Sequence, residues 1–492
     1  MGDIFRIAYE RSFFCTDSTL MRWLWQQSYG SLWLLGRALL TLYRWPLLGG
    51  LLVAVLLTAG SWLVGYCLRL PLRWRWAEFL PAGVWMSWAA WSGLDLYFQH
   101  EPGRLLGIPF LALFVCAVDA FIIWTFKARK PYKAPVKHTV PSDKKGAIKP
   151  FLIYGAVILC CFALPMCITH FRHPYARPVT RMEVQLIHQD WEGMSATAHE
   201  NAQLSYRPLA AYYAISLIHT GHITDALFDI RLDYDTLYIH RRSGDGDTGT
   251  DYYLIDCDYH SGLFRPARHK AIEHMTMDGP TLYSLKYLTR LELIDHNWPQ
   301  ARKYLRILER VPFEGEFVSK YSAMVDHPEL VEADAEIAVV RMTEPVVDAF
   351  ESQFQDPVFL GYNADLTAGR SKEALILSLM ANLYSKRMPA FLLRVQPLIG
   401  TIPPRTIAEG LVTQSPKNEA ILQAFPTLKM EAQRYMSFIR SMQPYMKDRA
   451  GAGKQLFDQY KGYYPYYYFF GNLKATRKST DKEHGNSKAG VN

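Results

Sequence analysis

The sequence predicts a mainly α-helical protein in two parts: N-terminal transmembrane helices, then a soluble α-helical domain of solenoid type. Three observations carry that prediction. Phe151–Thr169, FLIYGAVILCCFALPMCIT, runs without a charged residue over a length that crosses a bilayer. It follows Lys127–Lys149, which holds eight Lys and Arg against one acid, the strongest orientation signal in the chain. From Met182 onward apolar residues recur every three or four positions, and strand-like alternation is scarce.

A chain of 492 residues exceeds what one core serves, so two or more domains are expected. Residues 1–170 carry 17 Lys and Arg against 8 acids, whereas the remainder carries 37 against 38. The positive charge therefore belongs to the membrane half and calls for no nucleic acid partner. Eleven of the thirteen Trp also lie before residue 171, as expected where aromatic rings sit at headgroup level. Of seven Cys, five (Cys67, Cys116, Cys160, Cys161, Cys167) fall in apolar spans, and only Cys257 lies beyond residue 170. No disulfide framework or zinc site is built from that set, and no metal or cofactor is expected. The N-terminus lacks the pattern of a removable signal peptide.

In chain order, residues 1–46 read as an external or interfacial amphipathic segment. Arg22, Gln26, Gln27 and Arg37 interrupt Leu20–Tyr43 at positions that suit a helix lying in the interface. The rival reading is a further span through Leu32–Tyr43 that would put the N-terminus inside. Residues 47–170 form the transmembrane region, with spans at about 47–68, 79–98, 105–126 and 151–169. Loop Arg69–Glu78 holds three Arg and loop Gln99–Arg104 one, so the basic loops alternate as in–out–in. Everything after Phe171 is then outside the cytoplasm, on the outer face of the cytoplasmic (inner) membrane. Asp95 and Asp119 are costly in hydrocarbon; they read either as a relay or as an interfacial group and a residue paired with a polar neighbour.

Residues 171–470 form the extracytoplasmic helical domain, expected to fold on its own from about Arg172. A local pattern recurs in it: LIHQDWEGMSATA at Leu186–Ala198, LIHTGHITDALF at Leu217–Phe228, LIDHNWPQARKYL at Leu293–Leu305 and, more loosely, LYSKRMPAFLL at Leu383–Leu393. Each has an apolar helix end, a short polar turn, an apolar residue and a small or apolar residue three later: Trp191/Met194, Ile223/Ala226, Trp298/Ala301 and Met388/Phe391. This resembles the tetratricopeptide repeat, with Gly221 at the turn, Ala226 and Ala301 early in the second helix, and Pro312 near a repeat end. Asp190 to His222 is 32 residues, close to that period, but the following spacings of 75 and 90 require insertions or degenerate repeats, and an irregular helical array without repeat ancestry is the rival reading.

The main insertion is Arg231–Gly262, whose Gly244, Gly246 and Gly249 indicate a loop or small hairpin. Asp245, Asp247 and Asp251 fit a calcium loop poorly, because Gly249 and Thr250 break its order. Asp256, Asp258 and His260 stand at alternate positions that would share a face on a strand and reach a metal; solvated carboxylates account for them equally. Tyr463–Phe470 is read as extended, since Pro465 cannot sit in a helix interior, and as a cap docked on the last helices, with contact to the membrane surface or a partner as the alternative. Residues 471–492 have the composition of a disordered tail.

Three further stretches carry a resemblance over most of the chain: Tyr9-Glu10 with Phe13-Phe14-Cys15-Thr16-Asp17, Trp45-Pro46-Leu47-Leu48-Gly49-Gly50, and the closing tyrosine run. They are similar to an uncharacterised family of bacterial inner-membrane proteins, which implies architecture and location rather than an activity. The leading expectation is a membrane-anchored interaction scaffold, in contact with membrane lipid and a protein partner. The alternative is an enzyme acting on a lipid-linked substrate. Glu10 or Asp17 would then be the base and Arg22 or Arg37 would hold a pyrophosphate, an arrangement similar to membrane glycosyltransferases.

Overall fold

The computed structural model describes residues 2–26, 30–68, 72–92, 103–127, 144–172, 174–204, 206–232, 252–346, 371–414, 419–425, 427–445 and 448–471. Among them every regular element is helical. The chain opens with α1 (Asp3–Glu10) and α2 (Ser18–Trp25), the latter started by Asp17, whose Oδ1 accepts the Thr19 N–H at 2.8 Å. Then come α3 (Gly30–Leu40), a 3-10 turn at Thr41–Arg44, and α4 (Pro46–Cys67). Trp45 is extended and Pro46 occupies the first turn of α4, where its missing N–H leaves no bond unmade.

A 3-10 stretch, Leu72–Phe79, runs into α5 (Leu80–Ser92), followed by α6 (Gly103–Lys127) and α7 (Lys144–Arg172). α4 packs on α6, α5 on α7, and α3 also lies against α6. Among the described residues two segments, Pro46–Cys67 and Ile153–Arg172, are long and apolar enough to cross a membrane, while Ala112–Phe126 is a shorter apolar piece. The last six residues of the expected span 79–98 lie outside the described residues, as do Asp95 and most of the basic loop 127–149.

The rest is a stack of helices: α8 (Ala176–Ile187), α9 (Trp191–Glu200), α10 (Arg207–Thr220), α11 (Ile223–Ala226), α12 (Tyr252–His260), α13 (Phe264–Asp278), α14 (Leu282–Ile294), α15 (Trp298–Leu308) and α16 (Gly315–Asp326). The short α17 (Glu329–Ala333) and α18 (Ala335–Met342) follow. After 347–370, which is outside the described residues, come α19 (Lys372–Tyr384), α20 (Met388–Arg394), α21 (Arg405–Gln414), α22 (Glu419–Ala424), α23 (Leu428–Met442), α24 (Arg449–Tyr460) and α25 (Tyr464–Phe470).

Five helix-to-helix turns among the described residues share one geometry. Each has a left-handed residue (Gln189, Gly221, Gly262, His296 or Lys386, φ between 55° and 76°) at the helix end. The next N–H reaches back to the carbonyl five residues earlier: Asp190 to Gln185, His222 to Leu217, Leu263 to Asp258, Asn297 to Glu292 and Arg387 to Asn382, all at 2.8–2.9 Å. That bond ends the first helix and aims the second back along it. Five positions past the left-handed residue stand Met194, Ala226, Ala267, Ala301 and Phe391; all but Ala226 are fully buried. Four of these turns are the recurring patterns read from the sequence. Ala301→Leu should therefore overpack the α14–α15 crossing and lower stability by about 1–3 kcal/mol. Thermal melting of the intact protein in detergent checks this, and a parental melting curve would count against the crossing.

The side chains form two apolar cores. One gathers α8–α11 with α19–α25; the other gathers α12–α18. α12 is the wall between them: Tyr253, Leu254 and Cys257 face the first core, and Tyr252, Ile255 and Tyr259 the second. This corrects the reading of Arg231–Gly262 as a loop or hairpin throughout. Residues 252–260 are a buried helix whose acids and His break the apolar period that would have revealed it; 233–251, with Asp245, Asp247 and Asp251, are outside the described residues.

Two further readings change. The tyrosine run is helical rather than extended, because Pro465 occupies the first turn, where its lack of an N–H is harmless. It does dock on the last helices, with Tyr463, Tyr464 and Tyr467 buried in the first core. The segment 1–46 does not lie apart in an interface: Tyr9, Phe13, Leu24, Leu40 and Tyr43 are buried in the second core. A domain cut at Arg172 would lack that part of its interior.

Candidate functional site

Around α12 the helices bring together polar groups from distant parts of the chain. Asp256 accepts hydrogen bonds from Tyr212 of α10 at 2.9 Å and from Tyr283 and Tyr287, one turn apart on α14. Tyr212 also donates to Glu183 of α8 at 3.3 Å, and Glu183 takes an ion pair from Arg11 at 2.9 Å. Burial pushes the Asp256 and Glu183 carboxyls upward against these partners, and it holds the three phenols far above their usual value. With its hydroxyls donating inward, the cluster joins α8, α10, α12 and α14.

The other polar residues of α12 turn elsewhere. Asp258 pairs with Lys270 of α13. His260 Nδ1 lies 2.8 Å from Nε2 of His219, whose ring stacks at 3.8 Å on Trp191. Helical spacing thus sends Asp256, Asp258 and His260 to three different partners, and the alternate-position metal reading falls with the strand on which it rested. Among the described residues no three His, Cys, Asp or Glu side chains converge as a metal site.

The His pair gives a pH prediction. Burial pushes His219 down to about 4, so the folded state holds it neutral while the unfolded chain titrates near 6.5. Its contribution is full above pH 6.5 and is lost as pH falls toward 4. Glu409, which burial pushes up to about 7, changes stability in the opposite sense over much of that window. The His219→Gln difference isolates the first effect. The parent's stability advantage over His219→Gln should shrink by about 2 kcal/mol between pH 7 and 4.5. An advantage constant across that range would mean that His219 is not held neutral.

The residues singled out from the sequence do not converge. Glu10 is buried against Lys286 (2.7 and 3.0 Å) and Arg6 (2.9 Å); burial works against its ionisation, but the two cations keep its carboxyl below the usual range. Asp17 caps α2 and pairs with Arg310. Arg22 is exposed on α2, whereas Arg37 is buried and donates to the Phe13 carbonyl at 3.5 Å. Beside Glu10 is a residue the sequence did not mark: Glu314, 2 % exposed, accepts from Tyr9 (2.6 Å) and Arg44 (3.1 Å) and pairs with Lys286 (3.0 Å). In the apolar half, Cys67 of α4 donates to the Cys116 carbonyl of α6 at 3.3 Å, and Asp119 of α6 is exposed.

Among the described residues an open recess of about 690 Å³ lies between the loop after α11 and helices α24 and α25. Arg231, Arg449, Lys454 and Lys461 ring it, and Phe228, Phe457 and Tyr466 contribute apolar walls. Cations around aromatic surface suit an anion with an apolar body. None of Glu10, Asp17, Arg22 or Arg37 belongs to this lining.

No curated protein and no solved structure matches the chain. A family model does match, across residues 98–471, which takes in the apolar helices α6 and α7 and the helical stack through the tyrosine run. The chain belongs to a family of unknown function, DUF6057.

Proposed function

We propose that the protein is a multi-pass membrane protein displaying a tetratricopeptide-like helical scaffold on the outer side of the cytoplasmic membrane, where it holds a protein partner. The observation that carries the membrane part is a belt of exposed apolar side chains. Leu47, Leu51, Val55 and Trp62 on α4, Val84 and Trp88 on α5, Phe121 and Trp124 on α6, and Leu159, Phe162 and Met166 on α7 all face outward. So large an apolar surface is rare on a water-soluble monomer and fits a lipid environment.

Parity supports an even number of spans. α1 packs on α8 and Arg11 pairs with Glu183, so the chain before α4 and the chain after α7 belong to one folded unit. They stand on the same side of a bilayer, and the number of crossings between them is even. The four spans read from the sequence satisfy this; a further span through Leu32–Tyr43 would not. α3, with eleven residues, is about 16 Å long, short of a crossing, and its Arg37 is buried in protein.

The scaffold part rests on the five matching turns and on neighbour-to-neighbour helix packing, the construction of helical repeats that bind peptides. The basic, aromatic recess is where an acidic, apolar segment of a partner would be held. The lipid-linked-enzyme reading loses its residue set, because Glu10 and Asp17 are tied to separate cations.

Reporter fusions test the orientation. An export-dependent phosphatase should be active when joined after Pro312 and inactive after Pro135; the reverse pattern overturns the topology. A photo-crosslinker at Lys454 should then capture a polypeptide in native membranes and lose it when Arg449→Glu and Lys461→Glu reverse the charge of the recess. Capture that is indifferent to this reversal removes the recess from the proposal.

A further inference from the structure

The turn between α15 and α16 holds a residue that the packing of the domain does not use. Phe313 has φ of +71°, a conformation that suits Gly or Asn and is uncommon for a large ring. Its neighbours are fixed. Val311 is buried, the Pro312 carbonyl accepts from Tyr9 at 3.1 Å, and Glu314 is held by Tyr9, Arg44 and Lys286. Pinned on both sides, the turn directs the Phe313 ring outward, leaving it 45 % exposed.

The ring meets Trp45 edge-on, with centroids 4.6 Å apart, and Trp45 is itself 41 % exposed. Trp45 is the residue before α4, and Leu47, two positions on, is 89 % exposed. The two aromatic rings therefore continue the apolar surface of α4 at the end where that helix meets the domain. Close by, Phe5 of α1 packs against Gly49 in the second turn of α4. Helix α1, the α15–α16 turn and the start of α4 are one assembly.

We propose that Phe313 and Trp45 form an aromatic anchor that inserts into the headgroup region of the bilayer and sets the helical domain against the membrane surface. This rests on the membrane reading above. Aromatic rings are favoured at that depth, where one edge meets acyl chains and the other meets water. The domain is then seated by the turn as well as tethered by its spans. Phe313 is the contact made by the domain itself, far along the chain from any span.

The test uses the intact protein in nanodiscs of phosphatidylethanolamine and phosphatidylglycerol, with p-benzoylphenylalanine replacing Phe313 or, separately, Leu51 of α4. After irradiation, mass spectrometry should find lipid adducts on the peptides carrying position 313 and position 51. Adducts at 51 but not at 313 overturn the anchor and leave the membrane reading standing. Adducts at neither position overturn both. Because the Phe313 side chain is exposed, its replacement should melt with the parent. A Trp45→Ala variant should also lower the adduct yield at 313 severalfold, and an unchanged yield would remove Trp45 from the anchor.

Discussion

Glu314→Ala should destabilise the protein by about 3 kcal/mol and release α1 from the helical domain. The carboxylate is buried and is shared by Tyr9, Arg44 and Lys286, which come from three separate segments. Removing it leaves two cations facing each other across the cavity and the Tyr9 hydroxyl with only the Pro312 carbonyl. Lys286 keeps Glu10, and both cations retain some solvent, so the loss falls at the lower end of what breaking a buried pair costs. Glu314→Gln preserves an acceptor for Tyr9 but not the charge, and it should lose about half as much. Chemical denaturation in detergent measures the stability, and proteolysis near Arg11 reports the release. A Glu314→Ala protein as stable and as protease-resistant as the parent would show that Glu314 is not needed to hold α1.

The second large effect is truncation after Lys461, which removes the tyrosine helix. Tyr464 packs on Phe228, donates to the Leu383 carbonyl at 3.2 Å and gives its own N–H to Glu409 at 2.8 Å. Tyr467 donates to the Tyr384 carbonyl at 2.7 Å, and Lys386 binds the Tyr468 and Gly471 carbonyls at 2.8 and 2.9 Å. Without α25 the first core opens along α19 and α21, and a buried carboxylate and a lysine lose partners. Three buried Tyr side chains at about 1.5–3 kcal/mol each already approach the whole stability of an ordinary domain. The truncated protein should lose its cooperative melting transition. Tyr464→Ala alone should cost about 3–5 kcal/mol and Tyr464→Phe about 1 kcal/mol. If the truncated chain melts like the parent, the run does not close the core.

Much of the helical stack was legible because its signals are local. LIHQDWEG, LIDHNWPQ and LYSKRMPA each contain the helix end, the left-handed turn and the next helix start within eight residues. The N-terminal segment carried no such signal. Glu10 and Arg11 look like surface charges in any short window, since their partners Lys286 and Glu183 are 276 and 172 positions away. α12 was hidden for a different reason. A helix enclosed on all sides shows no polar face, and its acids are satisfied by tyrosines on α10 and α14 (Asp256) and by Lys270 of α13 (Asp258), which no spacing rule connects to it. The tyrosine run was misread by one rule applied too broadly, because proline is excluded from a helix interior but welcome in the first turn.

The contact between Tyr9 and Glu314 spans 305 positions, and that sets an order of events during synthesis. At ribosomal speed, about 15–60 s separate the two residues, so α1, Tyr9 and Phe13 leave the ribosome long before their core exists. Closing so long a loop in free solution would be slow and would lower the chain entropy by the full logarithm of its length. If α4–α7 insert in a bilayer as proposed above, the ends of that loop instead emerge side by side, and only the short stretch before Trp45 has to search. Insertion then comes first, the stack from α8 to α16 second, and α1 last. Chains arrested after residue 300 should leave residues 1–45 open to protease, and protection at that length would sink the order. The inserted helices would thus act as a template for the soluble domain as well as its anchor, holding the first residues in waiting for the partners made last.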